Sequence, residues 1–189
     1  MKRLKIIAGV DEVGRGCIVG PVVSAAVILK KGIKIKNLKD SKKLNFKQRI
    51  EIIKIIKKNS FFSIGVASVK EIEKLNILQA SLLSMKRAIL NLSKQPDLVI
   101  IDGIFAPQIS NKCRTVIKGD EKIKSVSAAS IIAKVYRDRF MIKLSEKFSN
   151  YAWERNFGYG TKDHLKGLRK FGITSHHRKG FKPVHKILS

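Results

Sequence analysis

Acidic residues are scarce in this chain: fourteen Asp and Glu stand against forty Lys and Arg, a formal net charge of +26 over 189 residues. Cysteine is nearly absent. Cys17 and Cys113 are too few and too far apart for a disulfide framework or a thiolate zinc site, and a reducing cytoplasm is the expected home. No apolar run reaches the roughly 18 residues that a membrane span needs. Met1–Lys5 leads straight into a strand-like run, so no signal peptide is expected. Proline occurs four times, and no repeat or low-complexity linker divides the chain. One domain is expected over residues 1–189, with a core over about 1–150 and a helical region over about 151–189.

What is present is enough apolar residue (44%) to build a core, and a large excess of positive charge. That much like charge favours a monomer and calls for a polyanion, because neutralising phosphates releases condensed counterions. Lysine outnumbers arginine 30 to 10, which an AT-rich coding sequence would also produce. Charge alone therefore favours nucleic acid without deciding it.

β-branched runs predict strands over Leu4–Val10, Gly20–Leu29, Ser60–Val69, Leu98–Asp102 and Arg114–Lys118. Helical spacing predicts Phe46–Lys58, with Asn45 as N-cap and Gln48 at the capping-box position, and Glu71–Lys94 with a break near Asn76. A long helix is expected over Val126–Phe148 and a short one around Lys162–Lys170. The order β-β-α-β-α-β-β-α describes an α/β domain with a mixed sheet and a C-terminal helical appendage.

Because acids are few, their positions carry information. Asp11 and Glu12 directly follow one apolar strand, Asp102 ends another, and Asp120 sits in a Gly-Asp pair before the long helix. A charge at the end of a buried strand needs a partner or a metal. Any one of these acids could simply pair with a lysine, and Asp120 could serve a helix dipole. Three at strand ends of an α/β sheet, where ligands gather, suit a hard cation such as Mg²⁺ or Mn²⁺. Two such ions roughly 4 Å apart support phosphodiester hydrolysis. Neighbours in a regular strand face opposite sides, so Asp11 and Glu12 share one ion only if the strand bulges or ends there, or if Glu12 acts through its carbonyl. In Gly14-Arg15-Gly16 the missing side chains let main-chain groups approach a sugar or phosphate, although an ordinary tight turn would use the same residues.

Asp11-Glu12-Val13-Gly14-Arg15-Gly16 followed by Gly20-Pro21-Val22-Val23 resembles the opening signature of ribonuclease HII. The resemblance continues in order through Asp40-Ser41-Lys42-Lys43-Leu44, Ile101-Asp102-Gly103 and Lys118-Gly119-Asp120. It runs on through Ser127–Asp138, Gly158-Tyr159-Gly160-Thr161, His164 and the His177-Arg178 to Phe181 element. Cys17 departs from the proline often found after the glycine pair.

The resemblance implies a ribonuclease H fold: a mixed five-stranded sheet flanked by helices, with a C-terminal helical extension. It implies an endonuclease that cuts the RNA strand of RNA–DNA hybrids and the phosphodiester 5′ to a ribonucleotide embedded in duplex DNA, leaving 3′-hydroxyl and 5′-phosphate. Asp11, Glu12, Asp102 and Asp120 become the catalytic, metal-binding carboxylates, with Mg²⁺ or Mn²⁺, two ions during catalysis. Gly14, Arg15 and Gly16 become the loop that senses the ribose 2′-hydroxyl, and Tyr159 lies against the sugar beyond a ribonucleotide–DNA junction. Ribonuclease HIII shares the chemistry but carries a further N-terminal domain, for which no room is expected before Asp11.

The remaining candidates are weaker. Lys42, beside Ser41, could hold a phosphate or be a solvated surface lysine. Asp138 is expected to pair with Lys134 one turn back. The histidines at 164, 176, 177 and 185 show no metal-ligand spacing and are expected to be structural or exposed. The rivals are a basic binding module with no use for strand-end acids, and a DNA-cutting nuclease of the same fold with no use for a ribose-sensing loop.

Overall fold

The computed structural model describes residues 5–32, 38 and 46–189. Asn45 and the run containing Lys42 lie outside the described residues, so the expected cap and phosphate contact are not addressed by the structure. Five strands form one sheet in the order β3-β2-β1-β4-β5. They are β1 (Ile7–Val13), β2 (Val22–Leu29), β3 (Ser60–Ala67), β4 (Leu98–Asp102) and β5 (Cys113–Val116). β2 runs antiparallel to β1 and β3, whereas β4 runs parallel to β1 and β5. The helices are α1 (Phe46–Lys58), α2 (Val69–Leu75), α3 (Ile77–Leu90), α4 (Gly119–Lys122), α5 (Lys124–Lys147), α6 (Trp153–Asn156), α7 (Lys162–Phe171) and α8 (Lys182–Leu188). No helix among the described residues is long and apolar enough to cross a membrane.

The two faces of the sheet carry separate apolar clusters. Ala25, Val27, Ile53, Ile56, Ile131 and Ile132 join α1 and α5 to one face; Ala8, Val10, Met85, Ile89 and Ile101 join α3 to the other. Helix α5 lies close on β1 because Gly9 faces it: a Cβ there would sit 2.2 Å from the Ser125 carbonyl carbon. The residues beyond Phe148 add a third cluster around Trp153, Tyr151, Leu168 and Val184 against Ile18, Val19 and Met141.

The expected break near Asn76 is where α2 ends and α3 begins. Asn76 sits at φ 71°, and its side chain accepts from the amides of Leu78 and Gln79. The Ser68–Glu71 capping box starts α2. Several boundaries shift by one or two residues, and two shift further. Helix α3 stops at Leu90 rather than Lys94, its last carbonyls taken by the turn at Asn91 and Leu92. Strand β1 does not end at Val10 but continues through Asp11 and Glu12 to Val13, because β2 goes on pairing with it.

Candidate active site

The continuing register decides how the first pair of acids is held. Asp11 pairs with Ala25 and Glu12 with Ser24 in an unbroken antiparallel ladder, so the strand neither bulges nor ends there. Asp11 and Glu12 therefore alternate across the pleat. Asp11 is buried on the α5 side, where Ser130 hydrogen-bonds its carboxylate and the Glu12 amide donates to Oδ1 at 2.7 Å. Glu12 is half-buried at the rim, in an ion pair with Arg15 at 3.2 Å.

β4 supplies the third acid. The parallel ladder sets Val10 opposite Ile101, so the next step along both strands places Asp11 beside Asp102. Parallel pairing sends these neighbours to the same face. Asp102 in turn accepts from the Gly119 amide at 2.7 Å, which docks α4 and its buried Asp120 next to the strand end. Lys118, just before α4, adopts left-handed φ 54°, a rare conformation for a side-chain-bearing residue that turns the chain from β5 into the helix. Ser127 on α5 donates to the Asp120 carbonyl and to that of Ile123, just after α4, and fixes α4 against α5. All four acids thus come from adjacent segments at one end of the sheet.

Asp11 and Glu12 sit where a negative charge is unfavourable. Burial first, then the charge of Glu12, raises the Asp11 carboxyl to about 8; Asp102 adds to it, while Ser130 and the Glu12 amide pull the other way. Burial also raises Glu12, opposed by Arg15. Among the described residues, no three His, Cys, Asp or Glu side chains are gathered closely enough to make a metal cage unaided.

Two clefts meet at Glu12. One, of about 300 Å³, is lined by Glu12, Arg49, Ser130, Lys134 and Tyr159. The other, of about 250 Å³, is walled by Arg15, Asp102, Ile104, Phe105 and Ile117. Gly14 has φ +94° and lies on the Arg137 guanidinium, with a notional Cβ 2.3 Å from its Nε. Gly16 is exposed beside Tyr159, its notional Cβ 3.9 Å from Cε1 of that ring. Tyr159 is 43% exposed, open to a ligand rather than buried as packing.

Asp138 pairs with Lys134 at 2.8 Å, as its helical spacing predicts. His164 and His177 are buried in a closed network rather than at a ligand site. The Trp153 indole N–H donates to His164 Nε2 at 2.9 Å, and His164 Nδ1 donates to the Tyr159 carbonyl at 2.8 Å. His177 Nδ1 accepts from the Thr174 amide at 2.9 Å, leaving its Nε2–H to donate to His164 Nε2 at 3.2 Å. Sequence reasoning missed this network and also the two fully buried arginines, Arg137 and Arg178. Nothing in composition separates those two from the other basic residues; only the glycines packed on Arg137 hint at it.

This arrangement meets its counterparts in known proteins. The family model described as ribonuclease HII matches residues 8–185. A ribonuclease HII from Pelagibacter ubique is 61% identical over 186 residues, 98% of this chain and 100% of that relative. The crystal structure of the ribonuclease H2 from Pyrococcus horikoshii superposes with a TM-score of 0.78 at 26% identity, covering 96% of each chain. A ribonuclease HIII, Bst-RNase HIII in complex with Mn²⁺, shares the fold, with a TM-score of 0.73 at 20% identity over 97% of this chain and 69% of its own. The mixed sheet is that of the ribonuclease H fold, and the chain belongs to the ribonuclease HII family of ribonuclease H endonucleases.

Proposed function

We propose that the chain hydrolyses the RNA strand of RNA–DNA hybrids and the phosphodiester 5′ to ribonucleotides embedded in duplex DNA, with Asp11, Glu12, Asp102 and Asp120 as the catalytic carboxylates. The observation that carries this reading is the parallel register that sets Asp11 beside Asp102, with Gly119 tying α4 to the same carboxylate.

The donors suit a divalent cation. They are hard oxygens, and burial first, then the charges of Glu12 and Asp102, raises Asp11 to about 8, a penalty that added positive charge offsets. An open set rather than a closed cage suits Mg²⁺ or Mn²⁺, since Mg²⁺ is commonly held by one or two carboxylates with substrate phosphate completing its shell. Asp11, Asp102, Asp120 and Glu12 would hold the ions; across the pleat from Asp11, Glu12 would share an ion with it only through its carbonyl, or hold a separate one with its carboxylate once released by Arg15. When bound, a pair of such ions activates water and offsets charge on the departing oxygen.

The chain's own residues supply geometry and selection. Gly14-Arg15-Gly16 offers main-chain groups to the 2′-hydroxyl, which both donates and accepts. Tyr159 offers an open ring face to the adjacent sugar. A 2′-hydroxyl that is read rather than used as nucleophile leaves 3′-hydroxyl and 5′-phosphate ends and no cyclic phosphate. The excess of basic residues supports binding to the phosphate backbone.

The test is a labelled DNA duplex with one ribonucleotide, beside an all-DNA duplex, with Mg²⁺, Mn²⁺ or EDTA. Metal-dependent nicking confined to the 5′ side of the ribonucleotide is expected. Cleavage of both duplexes alike, or binding without cleavage, rejects the proposal.

A further inference from the structure

Arg178 is fully buried, 163 residues along the chain from a carbonyl that it holds. Its Nη1 donates to the Arg15 carbonyl at 3.1 Å, while Nε and Nη2 both donate to the Gly20 carbonyl at 2.9 and 2.8 Å. Main-chain bonds on either side seat it: Arg178 N–H to the Ile18 carbonyl, and Gly20 N–H to the His176 carbonyl, both at 2.9 Å. The Phe181 ring packs 5.1 Å from its guanidinium carbon. Arg137, equally buried, reaches the same loop from α5 and donates to the carbonyls of Val19, Pro21 and Phe157. Neither guanidinium has a carboxylate partner among the described residues.

Two buried cations without an anion are a costly way to hold a loop, and apolar packing would do so with less desolvation. Burial and the neighbouring Arg137 charge push Arg178 down to about 10. What a guanidinium offers is a rigid fork that fixes carbonyl directions. In a trans peptide the carbonyl and the following N–H point in opposite directions. Pulling the Arg15 carbonyl inward therefore turns the Gly16 N–H outward. Gly16 is exposed beside Tyr159, and its N–H has no partner among the described residues.

We infer that Arg178 is a positioning residue for ribose recognition: its grip on the Arg15 and Gly20 carbonyls sets the Gly16 N–H toward the substrate before substrate arrives. The inference rests on the proposed role of the glycine loop as ribose sensor. Arg178 touches no substrate itself and acts through the backbone of the loop.

The experiment compares R178K and R178M with wild type on a duplex carrying one ribonucleotide and on its all-DNA counterpart. Affinity is read in EDTA by fluorescence anisotropy and turnover in Mn²⁺. Lysine keeps the charge but loses the fork. For R178K the expected result is all-DNA affinity within about twofold of wild type, with kcat on the ribonucleotide duplex down roughly tenfold or more. The wild-type preference for the ribonucleotide duplex in binding should shrink toward one. R178K or R178M with wild-type kcat and preference overturns the inference. If both variants fail to fold, F181L decides, since it loosens the guanidinium while leaving every acceptor in place. A lower kcat at unchanged all-DNA affinity is then expected, and an unchanged kcat overturns the inference. Wild-type protein that cuts neither duplex defeats the functional reading itself, and the ribose-sensing role with it.

Discussion

Gly119 donates its amide to Asp102 Oδ1 across 2.7 Å, so the carboxylate that ends β4 also docks the helix carrying Asp120. This bond makes Asp102→Asn an informative variant. Asparagine retains an Oδ1 acceptor for Gly119, so α4 should stay in place, and only the negative charge is lost. That charge is one of those raising Asp11, so its removal relieves repulsion in the metal-free protein. Nicking at a ribonucleotide is expected to fall by about 10³-fold or more. Duplex affinity should be retained, and the melting temperature should be no lower than that of wild type. Wild-type cleavage by D102N would exclude Asp102 from the chemistry.

Much of the fold that carries this candidate site was legible in the sequence, and the reasons are local. Leu98–Asp102 reads as a buried strand because an unbroken apolar run ends at Asp-Gly, and β4 has those bounds. Asn76 reads as a helix break because its side chain can cap, and the two helices meet there. What pattern could not give was pairing. Whether β1 stops at Val10 depends on β2 continuing opposite Asp11 and Glu12, which is a tertiary fact. Buried Arg137 and Arg178 were hidden for a similar reason, since their acceptors are main-chain carbonyls that leave no side-chain signature. The open placement of the four acids, drawn to one end of the sheet but not into a cage, is likewise a matter of packing.

Gly9 is where the site depends on close packing. A Cβ there would lie 2.2 Å from the Ser125 carbonyl carbon and 2.3 Å from the Val126 nitrogen, both main-chain atoms of α5 that cannot rotate away. Gly9→Ala must push α5 off β1, and with it Ser130 from Asp11. Overpacking of this kind costs about 1–3 kcal/mol, or roughly 2–10 °C in melting temperature for a chain of this size. Thermal denaturation and the nicking assay should both register the change. An unaltered melting temperature would mean that β1 and α5 do not meet so tightly.

The histidine network gives the fold a pH dependence of defined sign. Burial, then the charges of His164 and His176, lower His177 from 6.5 to about 4. Protonating it also places a proton on Nδ1, facing the Thr174 N–H that this atom accepts. Between these two values the unfolded chain binds the proton and the folded chain does not. The stabilisation is therefore complete above pH 6.5 and is lost as pH falls toward 4, by as much as about 3 kcal/mol. His177→Asn, which removes the titrating ring, should flatten this part of the stability–pH curve in urea unfolding at pH 4.5 and 7.5. An equally steep curve in the variant would assign the acid sensitivity to other groups.

Divalent metal should stabilise the free protein through the same acids that make it electrostatically frustrated. Asp11 carries a burial penalty and the like charges of Glu12 and Asp102, and a cation held by these residues would offset the like-charge part. A ligand that binds only the folded state stabilises it by about 2.7 kcal/mol at a hundred times its Kd. Because the four acids do not close into a cage, the ion's affinity without nucleic acid should be modest and the rise in melting temperature gradual with concentration. With a bound duplex supplying phosphate oxygens, the same rise should occur at lower metal concentration. Asp11→Asn should abolish the metal-dependent rise with or without duplex, whereas Glu71→Gln, remote from the four acids, should leave it intact. Differential scanning fluorimetry across a Mn²⁺ titration reads all three proteins. If D11N shifts as far as wild type, the ions bind elsewhere, and the pairing of Asp11 with Asp102 serves the fold rather than the chemistry.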